Sequence, residues 1–443
     1  MNSKRETLKS IIQLALPAVI QQILSMILQY VDTAMVGHLG EAATASVSTS
    51  GSVNFFIHSI PAAFSVGILS LLSQAYGRKD QGDIKKISVL NAHLTIWFGL
   101  GLTVICLAIA PYLPVWMQAD PAIRSDASGY FFIVSLSMLF STASYSFANT
   151  MHAVKDTRTP MIINISANVM NVVLNYLLIY TAGMGVKGAA WATTVSTVFG
   201  GIAMMLAWRK KVILQFTRED YFKIDRPMLG RVMLIALPVM VTTVFTSMGH
   251  VVFSAMINGM GVTVFASHAI AITAEQIFYL PGFGIRTAAS ALIGIAIGEQ
   301  NEKKFKDTRN LTIIITIAIM FVTGLILFFA AEYMMRIFTG SEAVIKMGAE
   351  VLRIVALSEP FYGLMIAWEG IGYGTGRTKH ILLIEALSMW GIRILATSFV
   401  IRAGGSLNEV WYCMVADNIC KATGLTFAGF MQNKKIFIQQ KTE

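Results

Sequence analysis

Shifted by 221 residues, this sequence falls into register with itself. Ala15-Leu16-Pro17 lies over Ala236-Leu237-Pro238, Gly40 over Gly261, Ser46 over Ser267 and Gly77 over Gly298. Ser137 meets Ser358, Phe140 meets Phe361 and Thr157 meets Thr378. One offset that holds without a gap from residue 15 to residue 378 marks a tandem duplication. Such a chain must fold as two versions of one half-structure. In a strongly apolar chain, a repeat of this kind is the signature of a transporter whose halves move against each other.

The chain is strongly apolar. Hydrophobic residues make up 55% of the 443, charged residues only 13%, and mean hydropathy is +0.64. Apolar runs of ~20 residues cross the ~30 Å hydrocarbon layer. They recur at roughly 11–38, 47–74, 88–111, 128–151, 160–182, 187–208, 231–258, 265–297, 311–331, 348–372, 380–402 and 409–430. All twelve must be helices, because an open sheet would leave backbone groups unpaired in lipid. The fold class predicted is an all-α integral membrane protein with twelve transmembrane helices in two six-helix repeats. Six spans per half is an even number, so the repeats share one orientation and are parallel.

Charge placement supports the count. With both termini cytoplasmic, the inner segments carry 25 Lys and Arg, and the outer loops carry only Arg124, Lys187, Arg336, Lys346 and Arg402. That asymmetry obeys the positive-inside rule. It also accounts for the +10 net charge as an orientation signal rather than a nucleic-acid footprint. The predicted division is an N-lobe over 1–208 (spans 1–6), a cytoplasmic linker over 209–230, a C-lobe over 231–431 (spans 7–12) and a cytoplasmic tail over 432–443. The first apolar run is too long and too polar for a cleavable signal, so the chain is expected in the cytoplasmic (inner) membrane. Cys106, Cys413 and Cys420 all fall in spans, which implies no disulfide framework. The sequence has no nucleotide-binding loop and no metal-ligand spacing. It offers no nucleophile, base and orienter set for an enzyme. Transport would then run on an ion gradient, a substrate gradient or a partner.

Polar residues inside the spans are costly and point to function. In the first half one carboxylate lies well inside a span: Asp32, about two turns below the outer surface. Span 5 carries Asn164, Asn168, Asn171 and Asn175, spaced 4, 3 and 4, hence on one face. Asn175, Thr193 of span 6 and Asn54 of span 2 lie at a similar depth. One carboxylate with several neutral oxygens suits a hard cation, and a carboxylate in low dielectric suits uptake of a proton. The plainer reading of the Asn stripe is interhelical hydrogen bonding.

The second half departs from this pattern. At the repeat offset Asp32 becomes Phe253, and Asn171 and Asn175 become Ile392 and Ala396. That half has its own charges. Glu275 and Arg286 stand about three turns apart on one face of span 8, across Pro281. Glu359 and Glu369 lie in span 10, and Glu385 and Arg393 in span 11. Asp417 and Lys421 form an i, i+4 pair in span 12. Glu275, Arg286, Glu369 and Arg393, with Asn54 and Asn168, are the substrate or cavity candidates. Pro17 and Pro238 are expected to kink the first span of each half. Gly183, Gly185 and Gly188 should tighten the turn after span 5, and Gly370, Gly372, Gly374 and Gly376 should end span 10. The 25 methionines suit either ordinary packing or a pliable apolar cavity.

Several stretches resemble multidrug and toxic compound extrusion (MATE) transporters, prokaryotic branch. Ala15-Leu16-Pro17 followed by Val31-Asp32-Thr33-Ala34-Met35-Val36-Gly37-His38-Leu39-Gly40 is similar to the family's opening. So are Gln74-Ala75-Tyr76-Gly77, the stretch from Asn171 through Gly185-Val186-Lys187-Gly188-Ala189-Ala190-Trp191-Ala192-Thr193, and Leu280-Pro281-Gly282 with Gly284 through Gly298. The resemblance implies two six-helix lobes forming a V around a central cavity, with export coupled to inward H⁺ or Na⁺ flow. It implies a coupling-ion site at Asp32, Asn171, Asn175 and Thr193, with Na⁺ possible at Asp32. Asn175 departs from the family's pattern, which has Asp there. One carboxylate can still bind one cation, but paired titration is lost. The helix 7 Glu and helix 10 Asp of some relatives fall on Thr246 and Tyr362, so that site is not carried over.

The function expected is a secondary active antiporter. It would export small amphipathic, often cationic, drugs or metabolites by rocking of its lobes, within the lipid bilayer, as a monomer and with no organic cofactor. A lipid-linked precursor flippase of the same superfamily is the alternative; it would favour a basic cavity and often more than twelve spans. A major-facilitator transporter is disfavoured by the loop Gly77-Arg78-Lys79-Asp80-Gln81-Gly82, a poor match to that class.

Overall fold

The computed structural model describes residues 2–211 and 225–439. Positions 212–224 of the expected linker and 440–443 of the expected tail lie outside the described residues. The described chain is helical and carries no strand. In order come α1 (Asn2–Gly37), α2 (Glu41–Arg78), α3 (Gln81–Ile109), a short α4 (Leu113–Trp116), α5 (Arg124–Ser135) and α6 (Met138–Ala153). Then α7 (Arg158–Asn175) runs directly into a π-helical segment (Tyr176–Thr181), followed by α8 (Gly185–Lys211). The second half has α9 (Arg226–Asn258), α10 (Val262–Gly298), α11 (Glu302–Phe338), α12 (Glu342–Ala356) and α13 (Glu359–Thr375). It ends with α14 (Lys379–Ser388), a second π segment (Met389–Ile394), α15 (Leu395–Arg402) and α16 (Leu407–Gln439).

Among the described residues, nine of these stretches are long and apolar enough to cross a membrane, and the bent pairs α5–α6 and α12–α13 add two more. The twelfth expected span is α16, ample in length at 33 residues but carrying Glu409, Asp417 and Lys421. Large side chains such as Trp97, Phe329 and Phe427 stay exposed, as side chains facing lipid do.

The repeat is visible in the backbone. Gly40 and Gly261, each just before a helix, both take positive φ, at 104° and 119°. The left-handed residues Lys79, Lys155 and Gly183 recur 221 positions later as Gln300, Gly376 and Gly404. Asp80 caps α3 by accepting from the Asp83 amide at 3.0 Å, and Asn301 caps α11 by accepting from Lys304 at 2.9 Å. The two bends also coincide, at Ser137 and Ser358. Each hydroxyl donates to the carbonyl three residues back, Val134 at 2.8 Å and Val355 at 2.9 Å. That local bond competes with the helix ladder and bends it. Pro360 is not the cause by itself, because the first repeat bends at the same place with Leu139 there.

The helices group into two compact units, Ile20–Ala236 and Met1–Val19 with Leu237–Glu443. These boundaries differ from the 208 and 231 of the expected division. The first turns of α1 and the first turns of α9 each belong with the other repeat's helices. Ile11, Leu14 and Ala15 are buried with Ile285, Ala288 and Leu292, and Gly284 admits the Val19 backbone so closely that a Cβ there would stand 2.8 Å from its nitrogen. Likewise Gly67 packs against the Val232 carbonyl. The boundaries fall within two residues of Pro17 and Pro238, and both helices run on through these prolines. A correction concerns the glycines of span 10. Only Gly376 ends a helix, at φ 73°. Gly370 and Gly374 lie inside α13, where they admit the α10 backbone at Arg286 and Ser290.

Candidate functional site: buried polar clusters in each unit

In the Ile20–Ala236 unit the coupling residues expected from sequence come together. Asn175 is fully buried, and its Nδ2 donates both to Asp32 Oδ1 and, at 3.3 Å, to Asn171 Oδ1. Asn171 Nδ2 donates to Thr193 Oγ1 at 3.4 Å, and that hydroxyl donates to the Ala189 carbonyl at 3.0 Å. Asp32 thus terminates a line of side chains running α1–α7–α8. The spacings of 3 and 4 that put Asn171 beside both Asn168 and Asn175 are what one helical face provides. Asn168, a turn below, donates to Ser25 of α1 at 2.9 Å, and Asn164 accepts from Ser144 at 3.5 Å. Those two act as interhelical hydrogen bonds rather than as part of the Asp32 cluster.

Asn54 does not join. Its Oδ1 is buried without a partner among the described residues, and no contact ties it to Asp32. Two tyrosines that sequence reasoning passed over do belong. Tyr130 of α5 is buried within interacting distance of Thr193 and Asp32. Tyr180 donates to the Met35 carbonyl at 2.7 Å, tying the π segment to α1 one turn beyond Asp32. No periodicity marks either residue; they are placed by helix crossings. The π segment starts one residue after Asn175, and local π geometry concentrates at functional positions.

Asn175 Oδ1 is buried and accepts from no donor among the described residues. A buried acceptor without a donor is costly. Turning the amide over would bring that oxygen to Asp32, where a protonated carboxyl could donate to it.

In the Leu237–Glu443 unit the expected cavity residues are buried and paired with one another instead. Arg286 Nη1 donates to Glu369 Oε2 at 2.5 Å. Arg393, 5% exposed, lies 2.8 Å from Asp417 Oδ2 and donates to Asn418 Oδ1 at 3.1 Å. Lys421 reaches the same Asp417 oxygen at 2.9 Å, and Ser388 donates to the other at 2.6 Å. The sequence-level pairing of Asp417 with Lys421 is therefore one edge of a larger network. Glu275 faces Arg393 and Glu359. Of the expected cavity candidates, Arg393 is paired with Asp417 and Asn418, and Glu369 with Arg286.

Two repeated six-helix units with polar residues buried at their crossings form the architecture of a multi-pass membrane transporter. The family model MatE matches residues 17–177 and again 238–398, one copy in each repeat. The chain belongs to the MATE family of transporters. It is 27% identical to the probable multidrug resistance protein NorM of Thermotoga maritima, over 94% of this chain and 91% of that one. It is 21% identical to the multidrug export protein MepA of Staphylococcus aureus, over 97% and 95%. Among solved structures, an outward-facing multidrug resistance MATE transporter of the MOP superfamily superposes with a TM-score of 0.91 at 20% identity, over 97% and 96% of the chains. A MOP superfamily transporter from Pyrococcus furiosus gives 0.90 at 20% identity, over the same shares.

Proposed function

We propose that the protein is a secondary active antiporter of the inner membrane. It exports small amphipathic, often cationic, organic molecules in exchange for H⁺ or Na⁺, as a monomer with both termini cytoplasmic. Relatives named for multidrug resistance or export support the substrate class. The observation that carries the coupling is the pairing of Asp32 with Asn175, whose Oδ1 lacks a donor among the described residues.

Asp32 is the coupling residue. Open to the outside, it takes up H⁺ or Na⁺. With its charge neutralised it no longer holds the Asn175 amide by a charge-assisted bond, and the line through Asn171 to Thr193 rearranges. Coupling requires that the ion and the substrate differ in affinity for two states of the protein. The rearrangement of α1 against α7 and α8 supplies the difference: the ion-loaded form releases substrate outward, and substrate binding inside favours ion release. A single carboxylate limits this site to one positive charge per cycle.

The test is efflux of a fluorescent cationic dye from vesicles containing wild type or Asp32→Asn, with pH and Na⁺ gradients imposed separately. Efflux that follows one gradient and is lost in the variant supports the reading and identifies the ion. Gradient-driven efflux at the wild-type rate in Asp32→Asn would sink it.

A further inference from the structure

The unit Leu237–Glu443 holds charge that the Asp32 mechanism does not use. Arg286, Arg393 and Lys421 are the cations of one side-chain cluster in it. Buried carboxylates of the same unit include Glu275, Glu359, Glu369, Glu385 and Asp417. Asp417 takes both Arg393 and Lys421, and Glu369 takes Arg286. Glu385 faces Glu369 and Lys421. Charge left unneutralised inside a membrane-embedded helix bundle is expensive.

Glu359 is the extreme case. It is 1% exposed, and neither carboxylate oxygen has a hydrogen-bond partner among the described residues. Its charged neighbour is another carboxylate, Glu275 of α10. From its own helix it is faced by Tyr362, and α11 packs on it through Gly324, where a Cβ would stand 2.9 Å from the Glu359 Cβ. Beside it, Ser358 accepts from Asn418 of α16 at 3.3 Å. Beyond Glu275 stand Arg393, which is already bound to Asp417, and then His250 and His268, which face Arg393. No cation is left for Glu359 among the described residues. Two neighbouring carboxylates in low dielectric cannot both ionise.

We propose that Glu359, buried with another carboxylate, Glu275, as its charged neighbour, forms a second proton-binding site, separate from Asp32 and contained within the Leu237–Glu443 unit. The first repeat has Met138 and Asn54 at the matching positions, so this site belongs to the second repeat alone. It also differs from the helix 7 and helix 10 positions of some relatives, which fall here on Thr246 and Tyr362. Its role in coupling rests on the antiport reading above; its ability to bind a proton does not.

The test is pH-difference infrared spectroscopy of the full chain in liposomes, in H₂O and D₂O. It reads the C=O stretch of protonated buried carboxyl groups. Asp32→Asn is expected to keep a buried-carboxyl band that shifts on deuteration and bleaches as pH rises. Glu359→Gln should lose that band. Asp32→Asn without any such band, or Glu359→Gln with the band unchanged, would overturn the proposal. If Glu359→Gln does not fold, Glu275→Gln decides: the band must move in frequency or in pH midpoint, and an unmoved band overturns the pair. Failure of gradient-driven dye efflux with the band intact would instead count against the antiport reading alone.

Discussion

The Arg393 guanidinium lies over the Phe253 ring, 5.6 Å from its centre, and Phe253 occupies the place in the second repeat that Asp32 holds in the first. The two repeats have thus exchanged a carboxylate for an aromatic face at the equivalent point of their first helices. In one unit that point carries the charge. In the other it supports a cation held by Asp417 of α16, a helix whose matching position in the first repeat is Ser196. Duplication preserved the backbone, and the polar chemistry diverged on it.

Asn175→Asp should restore a second carboxylate beside Asp32. The pair would then titrate in two coupled steps rather than one. The pH dependence of dye efflux is expected to broaden and gain a second inflection. A single unchanged inflection would mean that position 175 does not sense the Asp32 proton.

Asn175→Leu keeps the bulk but removes the donor to Asp32 and to Asn171. Losing a hydrogen bond to a charged group costs about 1.5–3 kcal/mol. The thermal midpoint in detergent should fall, and gradient-driven efflux should fall further than the loss of folded protein explains. Asn164→Leu, which loses one long bond to Ser144, is the control and should leave coupling intact.

Arg393→Met should destabilise strongly. It leaves Asp417 with Lys421 alone, and breaking a buried pair costs about 3–5 kcal/mol. Replacing both partners, Arg393→Met with Asp417→Leu, should recover part of that loss, except that Lys421 is then left buried without its carboxylate. Adding Lys421→Met should recover more. Thermal melts of the single, double and triple variants check the order.

In the first unit, between α6 and α7, Asp156 binds Lys211 and accepts from Thr159 at 2.8 Å. Burial would raise the Asp156 carboxyl, but the bonds from Lys211 and Thr159 outweigh it and hold it below its usual value of 3.8. A depressed carboxylate stabilises the fold above its unfolded pKa, and that contribution disappears as pH falls through the folded one. Asp156→Asn should therefore lower the melting point near neutral pH, by an amount worth under about 1 kcal/mol given the half-exposed lysine. The difference should vanish at strongly acidic pH.

Gly201→Ala should disrupt the crossing of α6 and α8, since a Cβ there would stand 2.4 Å from the Phe140 carbonyl oxygen. Overpacking of this kind costs about 1–3 kcal/mol. Gly101→Ala, with nothing within 4 Å of its Cβ, should be neutral or slightly stabilising. A melt of the two variants side by side distinguishes close backbone approach from mere helix propensity.

The sequence by itself determined the all-helical membrane class, the tandem repeat and the shared face of Asn171 and Asn175. Apolar run length, a constant offset and the 3.6-residue period are local or one-dimensional signals, and they survive without coordinates. Only the tertiary structure decided that the first turns of α1 and α9 pack with the opposite repeat's helices. Contact across some 270 residues, as between Ile11 and Ile285, leaves no periodic trace. The same holds for the partners of the buried charges. Arg286 chose Glu369 over Glu275, and Arg393 chose Asp417, because helix crossing angles and bends set which faces meet. Glu359 appeared in the sequence as one more acid near a proline. Its isolation exists only once α10 and α11 pack against it and leave its oxygens without a hydrogen-bond partner or a cation among the described residues.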